Sequence, residues 1–258
     1  MRIFLLMAIL FYLPDTRPAV AADSLIQLDT RPAVRQPVFY MKRDGAIATV
    51  ILLPGGAGGL GTFVDGKPSG RNFLIRSRDD FADAGVNVAL MGRASDKNDL
   101  DYPDRIAAEH LQDIKTLVEF LKRDTGLPVW LIGTSRGSVS ATAAAIAFGN
   151  DNLAGIVLTS SVVSDKKIGA VPYQALEKIR IPVLLVHNEK DACKICAPDQ
   201  VPAIMRGLIN APVKKLIMVN GGINPTGEAC EALHYHGFIG IEKSTVELII
   251  GWLKKPVQ

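Results

Sequence analysis

The chain contains no concentrated block of positive charge. Its 29 Lys and Arg residues and 26 Asp and Glu residues are mixed along 258 positions, which leaves a formal net charge of +3. Aromatic residues are also few, at 6%, and they are not interleaved with basic residues. A surface that binds nucleic acid needs clustered basic residues, so this composition favours an ordinary solvated surface and predicts no nucleic-acid partner.

The amino terminus lacks a hydrophobic run long enough to cross a membrane. Its apolar stretch at residues 3–13 falls short of the roughly 20 residues that a spanning helix requires. The stretch follows a positive charge and leads to small residues ending at Ala21 and Ala22, which is typical of a secretory signal peptide. We predict that residues 1–22 are a signal peptide and that the mature chain, 23–258, is secreted or periplasmic without a membrane anchor.

Cysteine is scarce, with three residues in the chain, and histidine is scarce too, with four. Cys193, Cys196 and Cys230 do not combine with histidines in a spacing typical of a metal site, so we expect no bound metal. In an oxidising compartment, three cysteines are most simply accommodated as one disulfide and one free thiol.

The glycine-rich segment at residues 54–59 lacks the signature of a nucleotide-binding loop. The Lys-Ser/Thr ending of a phosphate-binding loop is missing, and the Gly-x-Gly-x-x-Gly fingerprint is not met. We therefore expect no nucleotide and no other cofactor.

What the chain does have is a regular alternation of apolar runs of strand length with amphipathic segments of helix length. This alternation predicts an α/β fold with a mostly parallel central sheet and helices on both faces. The predicted strands are 37–41, 46–53, 86–91, 128–132, 153–159, 182–187 and 214–219, and the predicted helices are 71–84, 104–124, 136–148, 198–209 and 241–254. At 258 residues and 48% hydrophobic composition, a single large domain over residues 23–258 is the simplest arrangement.

A second domain has little room in this pattern. The segment at residues 160–180 is too short for a capping domain, so we expect an open pocket roofed by loops such as residues 61–70. The hexapeptide Asp-Thr-Arg-Pro-Ala-Val occurs at residues 15–20 and again at 29–34, but it is too short to be a structural repeat. The sequence suggests no function for this duplication.

The most informative motif joins the predicted strand at 128–132 to the predicted helix at 136–148. Residues 133–137, Gly-Thr-Ser-Arg-Gly, have the Gly-x-Ser-x-Gly pattern, which is common as a simple turn but here lies between a strand and a helix. A serine on so sharp a turn is strained, and glycines two positions away on either side avoid collisions. This context predicts a nucleophile elbow with Ser135 exposed at the carboxyl end of the strand.

A serine nucleophile needs a base to take its proton and a carboxylate to orient that base. Asp191 follows the predicted strand 182–187, and His236 lies in the long loop after the strand 214–219. The elbow, this order of serine, acid and histidine, and the His-Gly-Phe stretch that His236 opens resemble the α/β-hydrolase superfamily. The resemblance implies an α/β-hydrolase fold without a cap domain, in which Ser135, Asp191 and His236 form the catalytic triad.

Other residues are alternatives for two of these positions. His234 is the alternative base, and Glu189 and Asp165 are alternative acids if the turns differ. His110 lies in a predicted helix far from any strand end, so we expect a surface or half-buried residue. His187 closes a strand, where it could form a local hydrogen bond or line the pocket.

A tetrahedral intermediate needs two preorganised backbone N–H donors. The resemblance implies that one is the amide of Arg136, directly after the nucleophile, and that the other comes from the glycine-rich turn after the first long strand. Gly56 is the first choice for the second donor and Ala57 the alternative. The Arg136 side chain could attract an acidic substrate, although an arginine at a helix start more commonly points to solvent.

The cysteines flank the expected acid and base. Cys193 lies two residues after Asp191 and Cys230 six residues before His236, so a Cys193–Cys230 disulfide would fasten the two loops together. Pairings of Cys196 with Cys230 and of Cys193 with Cys196 are the alternatives.

These residues predict a serine hydrolase that cleaves a small-molecule carboxylic ester or related acyl compound through an acyl-enzyme. An amidase or peptidase with the same triad is the alternative within the hydrolases. A binding module that retains the fold without turnover is the alternative from another class. The sequence defines neither the acyl pocket nor the oligomeric state.

Overall fold

The computed structural model describes residues 23–257, and the predicted signal peptide lies outside the described residues. An eight-stranded sheet is its main feature, beside a small hairpin that pairs Phe63–Val64 with Lys67–Pro68. The strands of the main sheet are, in chain order, β1 (Ser24–Arg31), β2 (Val34–Met41), β3 (Thr49–Leu53), β4 (Asn87–Met91), β5 (Val129–Thr134), β6 (Gly155–Thr159), β7 (Val183–Asn188) and β8 (Lys214–Val219).

Across the sheet the strands follow the order β1-β2-β4-β3-β5-β6-β7-β8. The pairs β1–β2 and β2–β4 are antiparallel, and all other neighbouring pairs are parallel. The six strands β3 to β8 therefore run in the same direction, and their carboxyl ends lie along one edge. Loops that follow such an edge are where α/β proteins build their sites. The predicted mostly parallel sheet is confirmed.

Helices cover both faces of this sheet. They are α1 (Phe73–Arg76), α2 (Arg78–Asp83), α3 (Tyr102–Ile106), α4 (Ala108–Thr125), α5 (Arg136–Ala144), α6 (Asn150–Asn152), α7 (Pro202–Gly207) and α8 (Glu242–Lys254), with a π-helical turn, Ala145–Gly149, extending α5. One apolar core joins the sheet to α4, α5 and α7, and a second core joins the other face to α2 and α8. In the described part of the chain, no helix has both the length and the apolar character needed to cross a membrane.

No cap domain covers the sheet edge within residues 23–257. The segment at residues 160–180 contains only two short 3₁₀ turns, Val171–Tyr173 and Leu176–Lys178. This agrees with the expectation that the segment is too short for a capping domain.

The structure differs from the sequence-based prediction at β1, which the apolar pattern does not indicate. Its residues are mostly exposed or half-buried, so they give little apolar signal. The strand forms the edge of the sheet, and the second copy of the repeated hexapeptide, at residues 29–34, makes the turn into β2. The first copy lies outside the described residues.

Two of the predicted helices are each divided in the structure. The segment at 71–84 forms α1 and α2, which meet at Ser77, and the segment at 104–124 forms α3 and α4. Ala107 has an extended backbone, with ψ 146°, which ends α3 before α4 begins. The predicted helix at 198–209 is also shorter, because α7 begins at Pro202.

A buried carboxylate on α4 fixes the edge strand to the rest of the fold. Asp113 is 1% exposed and accepts hydrogen bonds from the Thr30 hydroxyl at 2.5 Å and from Arg31 Nε at 2.8 Å. Its second oxygen accepts from Arg31 Nη2 at 2.9 Å. These bonds to Asp113 are the first cause of the raised pKa of the Arg31 guanidinium.

We predict that Asp113→Asn destabilises the protein by about 1–3 kcal/mol, because it leaves buried donors on β1 without a charged acceptor. Urea denaturation measures the loss. Glu119→Gln on the same helix is the control, since Glu119 is about half exposed and lies 4.0 Å from Lys115 in a solvent-facing pair. Equal stability losses in the two variants would contradict the anchoring role.

Candidate active site

Ser135 lies on the sharp turn between β5 and α5, at the carboxyl edge of the sheet. Its backbone has φ 52° and ψ −125°, a conformation that costs a residue other than glycine about 1–3 kcal/mol. Close packing imposes this turn. A side chain at Gly137 would overlap the carbonyl oxygen of Leu53, and one at Gly133 would overlap the carbonyl oxygen of Gly137. The two glycines thus let α5 approach β3 and hold Ser135 above the sheet.

Asp191 and His236 form a buried hydrogen-bonded pair next to this turn. Asp191 Oδ2 lies 2.8 Å from His236 Nδ1, and the two side chains are 0% and 5% exposed. The other carboxylate oxygen, Oδ1, accepts a hydrogen bond from the backbone N–H of Cys193 at 2.9 Å. Because both carboxylate oxygens are held, the direction in which the carboxylate meets the imidazole is fixed.

The loop that carries His236 is anchored to two other parts of the fold. The Ser160 hydroxyl donates a hydrogen bond to the backbone carbonyl of His236 at 2.7 Å. Arg76, the last residue of α1, donates to the carbonyls of Ala232 and Gly237 at 3.0 Å each. Sequence analysis does not identify Arg76, because an arginine in an amphipathic segment resembles an ordinary surface residue and its partners are far away in the chain.

Ser135 and His236 open onto the same cavity, whose volume is about 280 Å³. The expectation that residues 61–70 roof the pocket is wrong, since that segment does not line this cavity. The wall comes instead from the start of α1 and from the loop before His236. The lining residues are Gly55, Gly56, Asn72, Phe73, Thr134, Ser135, Cys230, Glu231, Ala232, His236 and Gly237.

Backbone amides without partners lie on both sides of Ser135. Among residues 23–257, the amides of Gly56 and Ala57 have no backbone or side-chain acceptor, and both residues are exposed. The amide of Arg136 begins α5, where first-turn N–H groups have no acceptor within the helix. The predicted oxyanion donors are therefore free to bind a ligand, and the positive end of the α5 dipole lies among them.

The alternative base and acids have other surroundings. His234 packs edge-on against Tyr235, with ring centroids 5.1 Å apart, and it is His236 that bonds the predicted acid. Glu189 accepts a hydrogen bond from Asn220 at 2.6 Å near the surface, and Asp165 is exposed.

The two remaining histidines are buried. The expectation of a surface or half-buried His110 is wrong, because this residue is 5% exposed and its Nε2 lies 2.9 Å from the Ser140 hydroxyl. His187 is fully buried, and its Nε2 accepts a local hydrogen bond from the Ser161 amide at 2.6 Å. Burial lowers the pKa of each imidazole to about 3, so both are neutral at ordinary pH.

The structure contains the predicted disulfide between Cys193 and Cys230, and Cys196 is the free thiol. The disulfide joins the acid loop to the histidine loop. Sulfur atoms of Cys193 and Cys196 and a ring nitrogen of His236 lie within 4.8 Å of one another. Because the Cys193 sulfur is already bonded to Cys230, this group offers a metal only one thiolate and one imidazole. Burial raises the pKa of the Cys196 thiol.

The Arg136 side chain does not simply extend into solvent. Its guanidinium stacks on the Tyr102 ring, 4.8 Å from the ring centroid, and lies 3.8 Å from Asp99 and 3.7 Å from Asp101. With its charge already compensated by two carboxylates, Arg136 is a weak attractor for an acidic substrate.

No protein-family model and no curated protein matches this chain. Solved structures do resemble it. An esterase from Pyrococcus furiosus has a TM-score of 0.66 at 14% identity, covering 96% of this chain and 95% of that chain. A dienelactone hydrolase from Anabaena variabilis has a TM-score of 0.64 at 15% identity, covering 92% and 99%. A serine hydrolase without a lid from Xanthomonas campestris has a TM-score of 0.56 at 15% identity, covering 91% and 93%.

Likeness at such low identity establishes the fold. The chain has the α/β-hydrolase fold that its motifs predict, in a form without a cap domain over residues 23–257. The activity of this chain has to be argued from its own site.

We predict that replacing the disulfide, as Cys193→Ser with Cys230→Ser, lowers stability by about 2–4 kcal/mol, because the unfolded chain gains freedom. Amides of the acid and histidine loops should also exchange faster with solvent, since the two loops lose their covalent link. Urea denaturation and hydrogen exchange measure the two effects. Glu189→Gln is the control, because it changes an exposed residue of the acid loop and keeps the disulfide. The role of the link is contradicted if exchange in the double variant matches exchange in the control.

Proposed function

We propose that the protein is a serine hydrolase that cleaves a carboxylic ester or related acyl compound through an acyl-enzyme. The observation that carries the proposal is the 2.8 Å contact between Asp191 and His236, in a cavity that His236 shares with Ser135. A nucleophile on a strained turn, a base and an orienting carboxylate are the groups that this chemistry requires.

The base is His236. Its Nδ1–H donates to the Asp191 carboxylate, which fixes the tautomer and leaves Nε2 as a proton acceptor toward the cavity. As Ser135 Oγ forms a bond to the acyl carbon, Nε2 takes the hydroxyl proton and the carbonyl π electrons move onto the carbonyl oxygen. The Asp191 carboxylate stabilises the imidazolium that results.

The oxyanion is held by backbone amides. Arg136 supplies one N–H, and Gly56 or Ala57 supplies the other. Collapse of the tetrahedral intermediate breaks the bond to the alcohol, which leaves with the proton from His236. A water molecule then gives a proton to the same imidazole and attacks the acyl carbon. Collapse of this second tetrahedral intermediate breaks the bond to Ser135 Oγ, which takes the proton back from His236 as the acid is released. The protein needs no cofactor for these steps.

Export to an oxidising compartment, secreted or periplasmic, is part of the proposal. The Cys193–Cys230 disulfide supports it, because such bonds persist mainly outside the reducing cytosol. The proposed signal peptide at residues 1–22 is consistent with the same route.

We predict that a fluorophosphonate labels the wild-type protein at Ser135 and does not label Ser135→Ala. Asp191→Asn should lower kcat by about 10⁴-fold, because the imidazole loses the carboxylate that sets its tautomer. Mass spectrometry of the labelled peptide and hydrolysis of a chromogenic acetate ester measure these outcomes.

The controls for this test are the residues that the site does not use. His234→Ala and Glu189→Gln should keep kcat within about threefold of the wild type, since neither side chain bonds the Asp191–His236 pair or lines the cavity. Labelling that persists in Ser135→Ala would contradict the assignment of Ser135 as the nucleophile. A wild type that resists labelling would favour a binding module that retains the fold.

We predict that esters with short acyl groups are hydrolysed faster than long-chain esters and faster than aminoacyl amides. A cavity of about 280 Å³ is at the small end of ligand pockets, so it favours a short acyl group. Alcohols are also better leaving groups than amines. A panel of acetate, butyrate and decanoate esters and aminoacyl amides measures the order, and amides cleaved as fast as esters would favour the amidase or peptidase reading.

A further inference from the structure

Arg105 is a fully buried arginine beneath the oxyanion loop, defined here as residues 55–59. It lies on α3, is 1% exposed, and is among the largest fully buried side chains of the protein. The proposed mechanism assigns no role to the Arg105 side chain. An arginine is seldom completely buried unless its charge is paired, so its position needs an explanation.

The guanidinium of Arg105 joins three separate segments. Nη2 donates to the carbonyl oxygen of Gly56 at 3.0 Å, in the oxyanion loop. Nη1 donates to the Ser140 hydroxyl at 3.3 Å, on the second turn of α5. Nε donates to the carbonyl oxygen of Leu100 at 3.2 Å, in the segment before α3. One planar group thus connects the loop that carries Gly56 to the helix that begins at Arg136.

The donors to the Gly55 and Ala57 carbonyls come from the backbone. The carbonyl oxygen of Gly55 accepts from the Gly58 amide at 3.2 Å, and that of Ala57 accepts from the Leu100 amide at 3.2 Å. Arg105 supplies the only side-chain donor to residues 55–57 within the described chain. The carbonyls of Gly55, Gly56 and Ala57 are therefore each held by a donor, while the amides of Gly56 and Ala57 have no acceptor among residues 23–257.

Burial of the Arg105 charge at this place lowers the stability of the fold. Among residues 23–257, Arg105 forms no ion pair with a carboxylate. Burial, followed by repulsion from Arg136, lowers the pKa of Arg105 to about 9, so the side chain remains a cation at neutral pH. The fold thus keeps a destabilising buried charge at this place, which is typical of residues retained for function.

We propose that Arg105 is a positioning residue that holds the two halves of the oxyanion hole, the Gly56–Ala57 turn and the amino end of α5, at a fixed separation. The inference rests on the proposed function. Because a trans peptide is planar, fixing the Gly56 carbonyl also fixes the Ala57 N–H, which points in the opposite direction. The bond to Ser140 ties the same guanidinium to α5, whose first amide is the other donor.

Arg105→Met, Arg105→Lys and Arg78→Met, each in the full chain, test this role. Arg78 is the matched control, because it is also a buried arginine, 9% exposed, that donates to a local carbonyl and does not line the catalytic cavity. The Arg105 variants should lower kcat for an acetate ester by about tenfold or more with little change in KM, since misplaced donors weaken only transition-state binding. Arg78→Met should lose stability and keep kcat.

Hydrogen exchange gives a readout that does not depend on activity. The amides of Gly58 and Leu100 donate to the oxyanion loop and should exchange faster in Arg105→Met than in Arg78→Met. If Arg105→Met does not fold, Arg105→Lys and Ser140→Ala serve instead, since each leaves out part of the bridge. If a fluorophosphonate does not label the wild-type protein, only the proposed function is overturned. The exchange rates would still decide whether Arg105 orders the oxyanion loop. Folded variants with kcat within about threefold of the wild type, or with unchanged exchange at these two amides, would overturn the role of Arg105.

Discussion

The close approach of α5 to the end of β3 is the constraint on which the site depends. At Gly137 the helix backbone lies so near the Leu53 carbonyl that no side chain fits between them. The chain can reach this packing from β5 only through a tight turn, and the turn places Ser135 at φ 52°. A Cβ at Gly55 would lie 2.8 Å from the Ser135 Cβ, so the oxyanion loop is packed against the nucleophile as well. Strain at one residue is thus maintained by the packing of three elements.

The remaining groups reach Ser135 through loops that have little regular structure, and cross-links replace a cap domain in holding them. The Cys193–Cys230 disulfide joins the acid loop to the histidine loop, and Arg76 binds two carbonyls of the latter. Arg105 binds one carbonyl of the oxyanion loop, that of Gly56. Each of these links joins residues that are far apart in sequence. Preorganisation of the site is therefore distributed over the loops.

The sequence predicts what depends on local patterns. Apolar periodicity indicates the parallel strands, and the glycines around Ser135 indicate the elbow because their spacing reflects a local clash. The edge strand β1 is not predicted, because its half-buried residues carry a weak apolar signal. Arg105 and His110 escape for another reason: each lies on a helix segment with polar neighbours, and burial of both depends on tertiary contacts with Ser140. Long-range hydrogen bonds of this kind leave no periodicity in the chain.

The absence of an ion pair at Arg105, among the residues described, has an electrostatic consequence for the proposed reaction. A carboxylate beside the guanidinium would reduce the cost of burying it, but it would also place a negative charge beneath the amides meant to hold an oxyanion. In a buried, weakly screened site, that repulsion would oppose the developing charge. The buried carboxylate of the site is that of Asp191, on the Nδ1 side of His236, where its charge stabilises an imidazolium. Positive charge beneath the oxyanion loop and negative charge behind the base both favour the charge separation of the transition state, which is why the fold can retain an arginine that weakens its own stability.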